Sequence, residues 1–197
     1  MTDARDEILA RVRAAITDAP MPVVPPTPVG AQTADPVAHF ADRVADYRAV
    51  VERCAEDDVV ARVLDALPEG RVVVPSGLSV DIPDAVVDDV LSAAELDACV
   101  AVVTDATVGI AETGTIVLDH GPGQGRRAIT LVPDVHVCIV RADQVVADVP
   151  DAMPRLDPAK PLTWISGPSA TSDIELDRVE GVHGPRTLHV IIVSAAG

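Results

Sequence analysis

The sequence predicts an α/β fold, a three-layer α/β/α sandwich built on a mixed sheet. Three observations carry that expectation. Short β-branched runs such as Arg71–Pro75 and Cys99–Val103 alternate with stretches of helical period. Thr115–Leu118, Ile129–Val132 and Val135–Val140 follow one another closely enough to read as a meander. The closing stretch, Leu162–Val193, reads as strand, tight polar loop, helix and strand, which is one βαβ unit. With 197 residues, 48% of them hydrophobic, the chain holds enough apolar material for one domain core.

Taken in order, Asp3–Ile16 places Ile8, Leu9, Val12 and Ile16 on one side at helical spacing, with charges opposite. Such an amphipathic arm can pack on its own domain, on a second copy or on a partner. Pro20, Pro22, Pro25, Pro26, Pro28 and Pro36 make the next stretch a stiff, extended tether. The expected organisation is therefore an arm and tether over residues 1–36 and an α/β domain over 37–197. Val37–Leu67 carries helical periodicity in two pieces joined near Ala55–Asp57. Arg71–Pro75 is the first core strand expected, Ser76–Pro83 a loop, and Asp84–Leu91 a turn or two of helix. Cys99–Val103 is the second strand and ends in Thr104-Asp105-Ala106. Two further strands flank a glycine- and arginine-rich hairpin tip at Asp119–Arg127, and Val135–Val140 follows. Asp143–Val149 reads as helix and Pro150–Pro161 as a connector.

The closing unit carries the densest local signals. Leu162–Ile165 runs into the small-residue turn Ser166-Gly167-Pro168-Ser169-Ala170-Thr171. Ser172-Asp173-Ile174-Glu175 matches a reciprocal capping box, and Gly181 can end that helix in a left-handed conformation. The chain then turns through His183-Gly184-Pro185-Arg186 into Thr187–Val193, apolar enough for a strand covered on both faces. In open α/β sheets ligands sit beyond the carboxyl ends of the strands, and this loop is expected at that edge. Helix amides and hydroxyls there favour a phosphate or carboxylate.

Composition narrows the function. A net charge of −16 repels phosphate backbones, so no nucleic-acid partner is expected. One Phe, one Tyr and one Trp leave little to stack on bases or a flavin. Cys54, Cys99 and Cys138 show no C-x-x-C spacing, so neither an iron–sulfur nor a zinc framework is expected, and the thiols read as buried and inert. The expectation is a chain with no cofactor and no metal of its own. No run reaches the length of a membrane span, and Asp3, Asp6, Glu7 and Asp18 do not suit a secretory signal, which points to the cytoplasm.

Three loops hold the residues that chemistry can use. Thr104–Thr115 follows a buried strand and carries one carboxylate, Glu112, among small residues. Such a carboxylate suits a nucleophile or general base, and the alternative is a turn cap. The Gly121–Arg127 loop precedes a strand, so it fails the dinucleotide fingerprint and reads as a mobile hairpin tip. Its Arg126 and Arg127 still point to an anionic ligand or partner. In the closing loop, His183 between glycines can titrate near neutral pH and joins Glu112 as a catalytic candidate. His189 reads as a core histidine. The expected anion corner gathers Thr113, Gly114 and Thr115, then Ser166, Gly167, Ser169, Thr171, Ser172 and Asp173, and finally Gly184 and Arg186. Arg186 would grip a carboxylate or phosphate by a two-pronged contact.

At these residues the sequence resembles a known family. G-I-A-E-T-G-T at 109–115, S-G-P-S-A-T-S-D-I-E at 166–175 and E-G-V-H-G-P-R-T-L-H-V at 180–190 are similar to the signature blocks of the LUD-domain, or lactate-utilisation, family. The likeness runs from about Val37 to the carboxyl terminus and is to the short form of the family. It implies a Rossmann-like sandwich similar to the sugar-phosphate isomerase and CoA-transferase superfamily. It also implies a part in oxidising L-lactate to pyruvate, beside iron–sulfur oxidoreductase proteins that carry the redox centres. This chain lacks the ferredoxin-like cysteine clusters of the long form. In related CoA transferases a glutamate on a comparable turn is the nucleophile, which gives Glu112 a role by analogy of position only.

Three readings follow. The first is an accessory subunit of a lactate-oxidising complex that binds a small anion or docks its partners. The second is a stand-alone transferase or isomerase using Glu112. The third is a regulatory domain that senses a small acid.

Overall fold

The computed structural model describes residues 4–17, 23, 25, 30, 33–171, 179–180 and 184–194. The arm is helix α1 (Ala4–Ile16), with no buried residue and with Ile8, Val12 and Ile16 exposed. Helix α2 (Pro36–Asp46) starts where Asp35 accepts the Ala38 amide at 3.0 Å and Pro36 fills a first-turn position that needs no donor. Its buried side is Phe40 and Val44.

The helical reading of 37–67 breaks in the middle, because Val50–Cys54 forms strand β1. Pairing with the last strand of the chain decides its conformation over its own periodicity. Helix α3 (Val59–Ala66) buries Val59 and Val63, and β2 (Val72–Val74) is buried throughout. Residues 84–91 hold no helix; they hold β3 (Val86–Val87), flanked by Asp84 and Val90 at φ 58°, which a right-handed helix excludes. Helix α4 (Ala93–Asp97) is opened by a capping box between Ser92 and Glu95 and buries Leu96.

Strands β4 (Ala101–Asp105), β5 (Val108–Ile110) and β6 (Thr115–Leu118) follow. The strand expected at 129–132 is instead a 3-10 turn, Arg127–Thr130, whose Ile129 enters the core. Beyond it lie β7 (Val135–Arg141) and β8 (Val145–Val146), with the single turn α5 (Val149–Ala152). The helix expected at 143–149 is thus broken into the end of a 3-10 turn (Ala142–Gln144), β8 and the first residue of α5. The chain closes with β9 (Thr163–Ile165), β10 (Ala170–Thr171), β11 (Val179–Glu180) and β12 (Thr187–Val193).

Six strands form a sheet in the order β1-β12-β7-β4-β2-β3, parallel at every pairing. A second sheet, β8-β5-β6-β9, holds the antiparallel pairs β5–β6 and β6–β9 beside the parallel pair β5–β8, and β10 and β11 pair antiparallel on their own. Neither the meander nor the closing βαβ unit forms as expected. β6 and β9 belong to the second sheet, whereas β7 and β12 are central in the first. The burial of each strand explains the division. β7 and β12 are apolar on both faces and demand cover on both, while β9 is half-exposed and tolerates an edge.

The main sheet is covered on both faces. One face packs Val103, Val137 and Ile191 against Val59 and Val63 of α3. The other packs Cys138, Val140 and Ile192 against Phe40 and Val44 of α2 and Ile116 and Leu118 of β6.

Candidate functional site

A cavity of about 140 Å³ opens where residues 166–169, residues 184–185 and the Arg127–Thr130 turn meet over the amino ends of β7 and β12. The Ser169 amide donates to the Pro185 carbonyl at 2.8 Å, which fastens the first two segments together. Gly167, at φ 84°, passes so close to α2's exit that an added Cβ would stand 2.5 Å from Tyr47 Cβ, so glycine is required there. Ser166 Oγ lies 2.8 Å from Thr115 Oγ1, which accepts from Thr113 Oγ1 at 2.8 Å. A line of hydroxyls therefore runs from the turn after β5 to the cavity wall.

Arg127 is the cation of this cavity. Its Nη1 donates to the Thr130 carbonyl and hydroxyl at 3.0 and 3.1 Å. Its Nε and Nη2 donate to no described residue, and no described carboxylate pairs with it. Its neighbour Arg126 is paired with Asp88 through Nε and Nη2 and also donates to the Leu91 carbonyl.

The floor is His136, 1% exposed. Its Nε2 is 2.8 Å from Thr104 Oγ1, which also donates to Cys138 Sγ at 3.7 Å. Burial, reinforced by the Arg127 charge, pushes the imidazole down to about 4 and keeps it neutral. Burial pushes the Cys138 thiol up to about 12, so it is protonated and inert.

Of the residues expected to converge, Ser166, Gly167, Ser169 and Gly184 line the cavity, and Thr113 and Thr115 adjoin it through Ser166. They meet at the amino ends of the main strands, not at the carboxyl edge. The reason is connectivity: residues 184–186 lead into β12 and so must lie at its start. Arg186 turns away, gripping the Asp134 carboxylate through Nε at 3.0 Å and through Nη2. Gly114 packs against the backbone of Arg43. Glu112 faces α2, with Oε2 3.1 Å from His39 Nε2 and Oε1 3.7 Å from Arg43 Nη2. Thr171 lies in β10; Ser172, Asp173 and His183 lie outside the described residues.

His136 and Thr104 escaped the sequence reading. The one available signal was a polar side chain inside the apolar run V-H-V-C-I-V. Cys54, Cys99 and Cys138 are free and buried, and no three His, Cys, Asp or Glu side chains among the described residues gather to hold a metal.

A second crevice, about 420 Å³, lies at the carboxyl ends of β2 and β4, where the winding of the sheet reverses. The loop expected as a mobile tip is fastened here. The Gly123 amide donates to the Ser76 carbonyl at 2.9 Å, and the Gly123 carbonyl accepts the Asp105 amide at 2.8 Å. Gly123, at φ 75°, leaves Asp105 room: an added Cβ would stand 2.3 Å from Oδ2. Asp105 accepts the Ser79 amide and hydroxyl at 2.9 and 2.5 Å, and burial nevertheless raises its pKa. The crevice's cations are already neutralised, Lys160 by Asp119 at 2.6 Å and Arg141 by Glu56 at 2.8 Å. Of the cations that line these two cavities, Arg127 is the one that no described carboxylate pairs with.

Comparison with known proteins matches the LUD domain family to residues 37–193. A lactate utilization protein C of Deinococcus radiodurans is 43% identical over 203 residues, covering 97% of this chain and 96% of that protein. The lactate utilization protein C of Bacillus subtilis is 35% identical over 100 residues, a match that spans 47% of this chain and 41% of that longer protein. A crystal structure of a DUF162 family protein from Deinococcus radiodurans is similar with a TM-score of 0.69 at 37% identity, over 83% of this chain and 99% of that one.

Proposed function

We propose, because this chain belongs to the LUD domain family, that it acts in lactate utilization as a cytoplasmic subunit beside iron–sulfur oxidoreductase proteins that carry the electrons. The observation that carries this reading is the near full-length identity of 43% to a protein named for lactate utilization. The cysteines suit a subunit that leaves electron transfer to partners, since three buried thiols in separate places do not converge as cluster ligands. Within that role the cavity beside Ser166 and Arg127 holds a small carboxylate or phosphate. A guanidinium with Nε and Nη2 unused among the described residues, in a cavity also lined by Ser166, Ser169 and Thr130 of a strongly acidic chain, favours such an anion.

Growth tests the reading. A host strain deleted for this gene is expected to stop growing on L-lactate as sole carbon source and to recover when the gene returns. The tagged chain, purified from lactate-grown cells, is expected to retain iron–sulfur proteins. Unimpaired growth of the deletion strain on L-lactate would overturn the assignment.

A further inference from the structure

We propose that the cavity over His136 is a 2-hydroxycarboxylate site, with the carboxylate on Arg127 and the hydroxyl donated to His136 Nδ1, and that it rejects the 2-oxo acid of the same skeleton. The choice of acid rests on the lactate-utilization reading; the selectivity comes from the hydrogen-bond arithmetic around one buried ring.

Thr104 and Cys138 are register partners on β4 and β7, and the Thr104 hydroxyl points its one proton at Cys138 Sγ. Its contact with His136 is then an Nε2–H donated to Thr104 Oγ1. We assign this tautomer, in which Nδ1 carries a lone pair; the alternative places the Thr104 hydroxyl on Nε2 and needs the Cys138 thiol as donor to Thr104 Oγ1. Nδ1 accepts no hydrogen bond from any described residue, although the ring is 1% exposed. A buried acceptor without a donor is costly, and the cavity is the place from which a donor can come. The depressed pKa keeps the ring an acceptor at neutral pH.

Arg127 supplies the second recognition point. Its free Nε and Nη2 present the two parallel N–H groups that match a carboxylate fork. Arg127 acts electrostatically on His136, so the two groups share one field. An acid with a hydroxyl beside its carboxylate satisfies both at once. A 2-oxo acid sets its own lone pair against that of Nδ1, and an acid lacking the oxygen leaves Nδ1 unpaired. The small volume limits the skeleton to a few heavy atoms.

Calorimetric titration of the purified chain with L-lactate, pyruvate and propionate tests this. L-Lactate is expected to bind roughly tenfold or more tightly than either of the others. Arg127→Gln should lose all three acids. His136→Phe should erase the preference for L-lactate while keeping propionate affinity. Should that variant fail to fold, nitrogen NMR of the wild-type chain decides: an unprotonated Nδ1 that shifts with L-lactate, but not with propionate, supports the site. Equal affinity for pyruvate and L-lactate, or a protonated Nδ1, overturns it. The two proposals separate cleanly. Absent binding with a deletion strain that cannot use L-lactate removes this site and keeps the role in lactate utilization. Selective binding with normal growth does the reverse.

Discussion

Glu112 faces His39 at 3.1 Å, a contact that ties the turn after β5 to helix α2 across 73 positions of sequence. Arg43 adds a longer pairing at 3.7 Å. The three side chains are 29–45% exposed, so solvent screens both interactions. The Glu112 amide, bonded to the Ala147 carbonyl at 2.9 Å, holds the turn independently of the carboxylate. Glu112→Gln is therefore expected to cost less than about 1 kcal/mol. It should also leave carboxylate binding over His136 unchanged, as thermal melts and titration will read. Loss of lactate-dependent growth with fold and binding intact would give Glu112 a chemical role of its own.

The His136 ring links stability to pH. Its folded value is pushed from 6.5 down to about 4, so between those values the unfolded chain binds a proton that the folded chain does not. Stability therefore falls as pH drops from about 6.5 toward about 4, by up to about 3 kcal/mol from this ring alone. Above that window the contribution is fully present. Denaturant unfolding at about pH 7 and about pH 5 should show the loss, and His136→Phe should flatten it. An unchanged acid slope in that variant would count against a buried neutral imidazole.

Legibility in the sequence followed burial. β2, β4, β7 and β12 are covered on both faces, and their Val- and Ile-rich runs were readable as strands. β1 was not, because an edge strand carrying Glu52 and Arg53 imitates helical period, and only its register with β12 settles it. β8, two residues long, depends on β5, a pairing partner distant in the chain, and the three-residue β5 is held between β8 and the nearby β6. The same limit governs the site. The grouping of Ser166–Ser169 with Gly184 could be suspected from small-residue loops. The His136–Thr104–Cys138 contact could not, since it exists only through the register of β4 on β7. Nor does a sequence say which of two adjacent arginines has a carboxylate waiting for it.

Arg126 and Arg127 are expected to behave oppositely. Arg126 meets Asp88 with Nε and Nη2 at 2.7 and 2.8 Å and also donates to the Leu91 carbonyl at 2.6 Å. The Asp88 side chain is 6% exposed, and the Arg126 hydrogen bonds hold its carboxyl below the usual range. Arg126→Ala strands a buried carboxylate and should cost on the order of 2–3 kcal/mol, discounted for the solvent that reaches the guanidinium. Because Asp88's folded pKa is lowered, that contribution is present at neutral pH and fades as pH falls through the lowered value. The gap between wild type and Arg126→Ala should therefore narrow in acid. Arg127 is exposed, and among the described residues it donates only to Thr130 within its own turn. Arg127→Ala should stay within about 0.5–1 kcal/mol of wild type while losing L-lactate binding. Denaturant midpoints and titrations on the two variants, run side by side, check the contrast. If Arg127→Ala destabilises as much as Arg126→Ala and still binds L-lactate, Arg127 is a staple of its turn and the anion lies elsewhere.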